Sequence, residues 1–232
     1  MAGLASAAGA FGVVRASLEA SVADLLSRVA SIHPAGFVEL DPLLLISAPK
    51  DVAMRALGQV LGVVSGAIYP PRFDRLERLY LALTGGLKGG RTLAGCHIVP
   101  RRGRLLICRE AAAVVQKISL KAGIKTHWDS RFAVAVADDA RPGLILKCLG
   151  ERGVQGLADV LPWVVQSVPS PARATLPSIW NGNKLVCVPI PLAGRKTDKY
   201  QAGTSVSLTF SPPRAAAEAR FAIVSQAPAY YL

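Results

Sequence analysis

The chain has 232 residues, a formal net charge of +12 at pH 7 and a sequence pI of about 10.0. Hydrophobic residues make up 51% of it, which is enough for a folded core. The longest uncharged run, residues 56–71, has only 16 residues and includes Gln59, glycines and prolines, which excludes a membrane-spanning helix there. The first fourteen residues contain no basic segment of the kind that begins an export signal, so we expect a cytoplasmic protein.

Positive charge is concentrated in the middle of the chain. Residues 1–66 contain 4 basic and 5 acidic side chains, residues 67–128 contain 12 and 3, and residues 129–232 contain 11 and 7. The corresponding net charges are −1, +9 and +4. This distribution favours a polyanionic partner that contacts the middle third.

The first predicted elements are helices. A long amphipathic helix is indicated by apolar residues at three- and four-residue steps from Leu4 to Ile32, and it should end before Pro34. Asp41-Pro42 predicts a capped short helix, and Pro49 opens a third helix that Gly66 ends. The apolar stripe of the third helix is Val52, Ala56, Leu57, Val60, Leu61 and Val64.

A fourth helix is predicted after Pro71 and should end at Gly85-Gly86. Its predicted buried face consists of Phe73, Leu76, Tyr80 and Leu83. Arginines at positions 72, 75 and 78 form a basic stripe on the same segment. The stripe fits RNA contact and a solvated helix face about equally well.

The stretch from Arg91 to Glu110 contains two apolar runs around the turn signal Pro100–Gly103. Proline presets a turn dihedral and glycine permits a left-handed one, so the pattern predicts a β-hairpin. Arginines 101, 102 and 104 lie at the tip, where guanidinium groups suit phosphate contact. A solvated charged turn is the alternative.

The four cysteines, at positions 96, 108, 148 and 187, stand singly. Without a C-x-x-C pair we expect buried thiols and no zinc ribbon. If Val99 pairs with Arg104, then Cys96 pairs with Ile107, and Cys96 and Cys108 point to opposite faces of the hairpin. The histidines at 33, 97 and 127 also lack metal-ligand spacing, and no cofactor or metal is expected in this chain.

The pattern after the hairpin is mixed. Strands are predicted at residues 132–136, 144–148 and 185–188, and a short helix at residues 151–160. The segment 111–120 is ambiguous, and prolines from Pro162 to Pro177 leave at best one helical turn at residues 172–176. A polar segment followed by an alanine-, serine- and proline-rich end predicts a loosely ordered tail over residues 193–232.

Two patterns resemble sites of other kinds. The segment Gly85–Thr92 approaches a phosphate-binding loop, with Arg91 in place of lysine. Such a loop follows a strand and opens a helix, whereas the order predicted here is the reverse, so we interpret it as a flexible link. The segment His127-Trp128-Asp129-Ser130 contains the residue types of a catalytic triad, but neighbouring side chains diverge, and a turn is predicted instead.

Five blocks of sequence, in the same order, resemble the later part of bacterial tRNA(Ile)-lysidine synthetases of the alphaproteobacterial type. The blocks are Tyr69-Pro70-Pro71-Arg72, Arg91-Thr92-Leu93-Ala94-Gly95-Cys96, residues 102–110, Trp128-Asp129-Ser130-Arg131-Phe132, and residues 173–180 with 185–189. The family has glycine at the positions of Ala94 and Ser130. The resemblance covers residues 1–192.

The resemblance implies an ATP-dependent ligase that joins lysine to the anticodon cytidine of tRNA(Ile). In that family the ATP chemistry belongs to an N-terminal domain with an S-G-G-x-D-S loop, and no such segment occurs in this sequence. We therefore expect the tRNA-positioning portion without the ligase active site, with a separately encoded PP-loop catalytic domain as an expected partner. A truncated gene product, half of a split enzyme and a mis-called start codon all remain open.

These observations predict an α+β protein in three parts: a helical tRNA-positioning module (residues 1–86), a mixed domain with a basic β-hairpin (87–192) and the tail (193–232). The predicted function is tRNA binding within a tRNA(Ile)-lysidine synthetase. The alternative is a non-catalytic remnant that binds nucleic acid weakly or packs against a partner protein. The candidate RNA-binding residues are Arg72, Arg75, Arg78, Arg91, Arg101, Arg102 and Arg104.

Overall fold

The computed structural model describes residues 2–155, 157, 161–189 and 205–213. Its first helices are α1 (Ala2–Val29), α2 (Pro42–Ser47), α3 (Lys50–Ser65) and α4 (Phe73–Thr84). The Asp41 carboxylate caps α2 by accepting from the N–H groups of Leu43 and Leu44, and Gly66 ends α3 in a left-handed conformation at φ 71°. Both boundaries confirm the predictions made from Asp41-Pro42 and from Gly66.

A five-stranded antiparallel sheet lies at the centre of the fold. Its strands are β1 (Ala30–His33), β2 (Phe37–Leu40), β3 (Arg91–Leu93), β4 (Cys96–Arg101) and β5 (Arg104–Arg109). The spatial order is β1-β2-β5-β4-β3, so the predicted hairpin β4–β5 forms the middle of a sheet. Residues 105–108 of β5 are buried, and the turn at Arg102 and Gly103 is exposed.

The predicted end of the first helix at Ile32 is wrong, because α1 stops at Val29 and β1 follows. The step from Val29 to Ile32 fits a helix, but Ile32 is buried equally well from a strand. β1 pairs with β2, and β2 pairs with β5 through Val38 and Ile107. This sheet pairing outweighs the weak local helix preference.

The predicted buried face of α4 is right for Leu76, Tyr80 and Leu83 and wrong for Phe73, which is 67% exposed. Phe73 is the first residue of the helix, at the edge of the buried face and a turn before the core begins. Leu79 is buried in its place.

The register of the hairpin also differs from the one considered above. Val99 pairs with Leu106, and Cys96 pairs with Arg109, because the turn contains two residues rather than four. A shift of two residues preserves the faces of the strand, so Cys96 and Cys108 still point to opposite sides. Both thiols are buried, and burial raises the pKa of each to about 12.

The rest of the chain forms short helices and two smaller sheets. The helices after the hairpin are a 3₁₀ turn (Ala111–Ala113), α5 (Gly150–Gln155), α6 (Pro162–Ser167) and α7 (Ser170–Arg173). The strands are β6 (Ile118–Ser119), β7 (Lys125–Trp128), β8 (Phe132–Val136), β9 (Leu144–Cys148), β10 (Pro177–Asn181), β11 (Lys184–Cys187) and β12 (Val206–Phe210). One sheet has the order β11-β10-β9-β6 and the other β12-β8-β7. The predicted strands at 132–136 and 144–148 are confirmed, and the one at 185–188 is confirmed with a shift of one residue.

Buried apolar residues form three clusters. The first lies between α1, α3, α4 and one face of the five-stranded sheet, where it contains Leu26, Leu57 and Ile98. The second covers the opposite face with α6 and α7, and contains Leu106, Cys108 and Val164. The third is enclosed by the two smaller sheets. The five-stranded sheet therefore joins the helical part to the rest of the protein.

The observed class is α+β, as predicted. The proposed boundary between residues 86 and 87 remains a prediction, and the pairing of β2 with β5 crosses it. The prediction of a loosely ordered tail does not apply to Val206–Phe210, because this segment forms β12 and pairs with β8. Residues 193–204 and 214–232 of that predicted tail lie outside the described residues, as do residues 156 and 158–160 of the predicted helix at 151–160.

Candidate nucleic-acid interface

A basic groove lies between α4 and the edge strand β3. It has a volume of about 340 Å³ and brings the side chains of Arg75, Arg78 and Arg91 together. Thr92, Leu79 and Leu93 complete its wall. Two arginines separated by one helical turn and a third from a facing strand can contact successive phosphates of a nucleic-acid backbone.

The groove exists because α4 is strongly amphipathic. Leu76, Leu79, Tyr80 and Leu83 are buried against the core, which leaves Arg72, Arg75 and Arg78 exposed. Arg78 pairs with Asp74 at 2.9 Å, but both side chains are mostly exposed, and such a pair stabilises a helix only weakly. A phosphate can therefore compete for the Arg78 guanidinium.

Arg91 reaches the groove through the register of β3. It pairs with Ile98 of β4, so both side chains lie on the face of the sheet that packs against the helices. A tight turn at Ala94 and Gly95 joins β3 to β4, with φ of 53° and 71°. The first arm of the predicted hairpin, residues 91–99, therefore consists of two strands, β3 and β4, which form a hairpin of their own.

A second depression, of about 480 Å³, continues from the groove along the glycine-rich link. It shares Arg91 with the first and adds Lys88 and the backbone of residues 85–90. The link follows helix α4 and precedes strand β3, which confirms the reversed order that argued against a nucleotide-binding loop. The link instead lengthens the basic groove.

The arginines of the hairpin tip form a separate group. Arg101 is three residues beyond Ile98 in β4, so its side chain lies on the sheet face opposite that of Arg91. Arg102 is exposed in the turn at φ 50°. Arg104 points toward the protein: its guanidinium donates to the carbonyl oxygens of Val29 and Glu39 at 3.4 Å and lies 3.5 Å from the Asp41 carboxylate.

Arg101 has a basic neighbour that the sequence reasoning missed. Arg173 donates to the carbonyl oxygens of Val168 at 2.8 Å and Val165 at 2.6 Å, next to the end of α6. Burial and the positive charge of Arg101 both lower the pKa of Arg173. The repulsion between these two cations would be relieved by an anion bound beside them. The signal in the sequence was the position of Arg173 at the start of a matched block.

No family model matches the chain. A tRNA(Ile)-lysidine synthase of Caulobacter vibrioides is 37% identical over 111 residues, which is 46% of this chain and 27% of the relative. The enzyme of the same name from Ruegeria pomeroyi is 30% identical over 171 residues, 72% of this chain and 38% of the relative. That from Mesorhizobium japonicum is 32% identical over 151 residues, 65% of this chain and 32% of the relative.

The chain is a partial homologue of the tRNA(Ile)-lysidine synthases. This confirms the resemblance found in the sequence blocks. In these three comparisons the chain spans between 27% and 38% of the length of the curated relatives. Within the described residues, no helix is long and apolar enough to cross a bilayer.

A buried charge cluster is formed by residues from two of the blocks that resemble the lysidine synthases. Asp129 accepts from two arginines: Arg109 binds both of its carboxylate oxygens at 3.1 Å, and Arg131 Nε donates at 2.7 Å. Arg131 Nη2 also lies 2.6 Å from Asp129 Oδ2, without hydrogen-bond geometry. The turn predicted at Asp129-Ser130 is confirmed, with φ of 52° and 53°.

Hydrogen bonds of the cluster link three turns, those at Gly36, Gly95 and Asp129-Ser130. Arg131 Nη1 donates to the carbonyl oxygen of Gly36 between β1 and β2, and Arg109 Nη1 donates to that of Gly95 between β3 and β4. Burial lowers the pKa of Arg131, and the Asp129 carboxylate opposes that effect. These charged groups contact one another and the backbone, so their role is structural. The sequence signal was the pair Asp129 and Arg131 between two aromatic residues.

Proposed function

We propose that this chain binds tRNA and positions it for lysidine formation. The observation that supports the proposal is the groove between α4 and β3, where three arginines of the most basic third of the chain converge. Such a groove suits contact with the phosphate backbone, which supplies most of the affinity of non-specific nucleic-acid binding. The relatives are named tRNA(Ile)-lysidine synthases, and we take the proposed substrate, tRNA(Ile), from that name.

In this proposal the groove arginines make the main contact with tRNA, and Arg101 and Arg102 make a second contact with it. Arg72 supports the groove as an exposed residue just before α4, and Arg104 serves mainly to hold Asp41 and the end of α1. The ATP-dependent ligation that the resemblance implies requires a catalytic region, and the S-G-G-x-D-S loop of such a region does not occur in these 232 residues. A catalytic domain acting together with this chain in the cytoplasm is therefore part of the proposal.

The test is the salt dependence of tRNA binding. In one variant Arg75, Arg78 and Arg91 become alanine; in another Arg101 and Arg102 do so, while Arg104 is retained because its removal would leave Asp41 unpaired. Each lost phosphate contact should flatten the slope of log affinity against log salt by about 0.7–0.9. The groove variant should therefore lose about two to three units of slope, and the tip variant fewer.

The matched control removes the same charge elsewhere. Arg28, Arg55 and Arg141 are exposed and lie outside the groove, so their replacement by alanine lowers the net charge equally. For this control variant, the slope of log affinity against log salt should remain close to that of the wild type. If the groove variant and the control behave alike, the positive field alone attracts tRNA and the groove is not its contact surface. If the wild-type chain binds no tRNA, the proposal fails.

A further inference from the structure

Two exposed aromatic rings stand next to the basic stripe of α4. Tyr69 is 82% exposed and Phe73 is 67% exposed, and Arg72 lies between them in the chain. In the part of the chain that the structure describes, neither ring stacks on another ring or lies under a cation. Single exposed apolar residues are normal on a protein surface, but exposed rings interleaved with basic residues are typical of surfaces that bind nucleic acid.

The local backbone explains why the rings are exposed. Pro70 and Pro71 favour an extended chain and keep Tyr69 out of the helix, and α4 begins only at Phe73. The core of α4 starts one turn later, at Leu76. Tyr69 therefore lies in the bend that precedes α4 and Phe73 is the first residue of the helix, four positions further along the chain.

We propose that Tyr69 and Phe73 stack on unpaired bases of an RNA loop whose phosphates are bound by the arginines of α4. This inference rests on the proposed tRNA binding and specifies which part of the RNA is bound. A base inside a double helix already stacks on its neighbours, so only an unpaired base offers its face to a side chain. Aromatic residues interleaved with arginines are the arrangement that proteins use to bind single-stranded nucleic acid.

Charge favours RNA over a protein as the occupant. Arg72, Arg75 and Arg78 accompany the two rings, and the acidic neighbours Asp74 and Glu77 already pair with Arg78 and Lys50. The surface beside the rings is consequently net positive. A phosphodiester chain satisfies the positive charges and the aromatic faces at the same time.

The test uses the full chain with two RNA probes, a stem-loop and a blunt duplex of equal length. Tyr69→Ala and Phe73→Ala should each weaken binding of the stem-loop about tenfold, and the double variant about a hundredfold, since stacking contributes roughly 1–3 kcal/mol per base. Duplex affinity should stay within about twofold, and the salt slope should not change, because a lost stacking contact releases no counterions.

Tyr69→Phe and Phe73→Tyr preserve a ring and should bind like the wild type. The matched control is Leu81→Ala, which removes another exposed apolar side chain from α4. Loss of stem-loop binding in this control would show a general effect on the helix and would overturn the inference. A Tyr69→Trp variant adds a direct signal: its fluorescence should be quenched by the stem-loop and not by the duplex.

Other outcomes separate this inference from the proposed function. If the alanine variants bind both probes like the wild type while the groove arginines still determine the salt slope, stacking is wrong and tRNA binding stands. If the alanine variants flatten the slope, the rings act by supporting the arginines, and stacking is again wrong. If they abolish only concentration-dependent self-association on a sizing column, the rings form a protein interface instead.

Discussion

Ala94 and Ser130 occupy tight turns in a backbone conformation that favours glycine. Both have φ of 53°, and both stand where the lysidine synthases have glycine by the resemblance of the sequence blocks. A side chain with a Cβ costs about 1–2 kcal/mol in this left-handed region. The two turns therefore contain strain that glycine would relieve.

We predict that Ala94→Gly and Ser130→Gly each stabilise the protein by about 0.5–1 kcal/mol, because relief of the left-handed strain exceeds the larger unfolded-state entropy of glycine. Chemical denaturation measures the change in the free energy of unfolding. The control is Ala112→Gly, at an exposed position of the 3₁₀ turn without positive φ, where a small loss is expected. Loss of stability at Ala94 or Ser130 would contradict the strain argument.

The resemblance showed that both positions differ from the family's glycine, but only the structure shows that both have a positive φ. A β-hairpin at residues 91–110 was predictable because apolar runs flank a glycine turn. The role of Arg104 was not, because it depends on Asp41 and on two carbonyl oxygens some 65 and 75 residues away in the chain. Sequence charge alone cannot separate an arginine that faces solvent from one that binds its own protein.

At the scale of elements, prediction succeeded where the local pattern and the tertiary environment agree. Phe132–Val136 is a run of five apolar residues, and it forms β8, in which buried and partly buried side chains alternate. Val29 and Ile32 have helical spacing, yet Ile32 enters β1 because the sheet supplies hydrogen-bond partners for that segment. β10 was missed since Pro177 was interpreted as a breaker, although proline is tolerated as the first residue of a strand.

The cluster of Arg109, Asp129 and Arg131 links the turn at Asp129 to the turns at Gly36 and Gly95. We predict that Asp129→Ala destabilises the protein by about 3–5 kcal/mol, because the buried guanidinium group of Arg131 and the partly buried one of Arg109 lose their shared carboxylate. The control is Asp139→Ala, which removes an equal charge from an exposed position and should change stability by less than about 0.5 kcal/mol. Equal effects of the two changes, measured by denaturation, would mean that the cluster contributes little.

On the scale of the whole molecule, α1 connects the buried core with an open apolar surface. Val22, Leu25 and Val29 are buried, and the same helical stripe continues toward the N-terminus through Val14 and Phe11, which is 76% exposed. Within residues 11–29, the part of α1 whose burial is described, the first buried side chain is that of Val22. An exposed apolar stripe continuous with a core helix is a suitable surface for the catalytic domain proposed above.

We predict that a cognate lysidine synthase catalytic domain, supplied separately with ATP, will incorporate lysine into tRNA(Ile) at least tenfold faster when this chain is added. The physical basis is positioning, since correct orientation of reactants is worth up to about 7–11 kcal/mol. The chain alone should bind no ATP, which calorimetry can check, because the glycine-rich link does not precede a helix.

The stimulation should depend on α1. Phe11→Glu with Val14→Glu should abolish both the complex on a sizing column and the gain in activity, while tRNA binding by the chain remains, because the groove is formed by α4 and β3. The control Val115→Glu places a charge on another exposed apolar residue and should leave the stimulation intact. If both proteins are folded and neither a complex nor any stimulation is observed, the alternative of a non-catalytic remnant is favoured, since tRNA binding without a catalytic partner positions nothing for reaction.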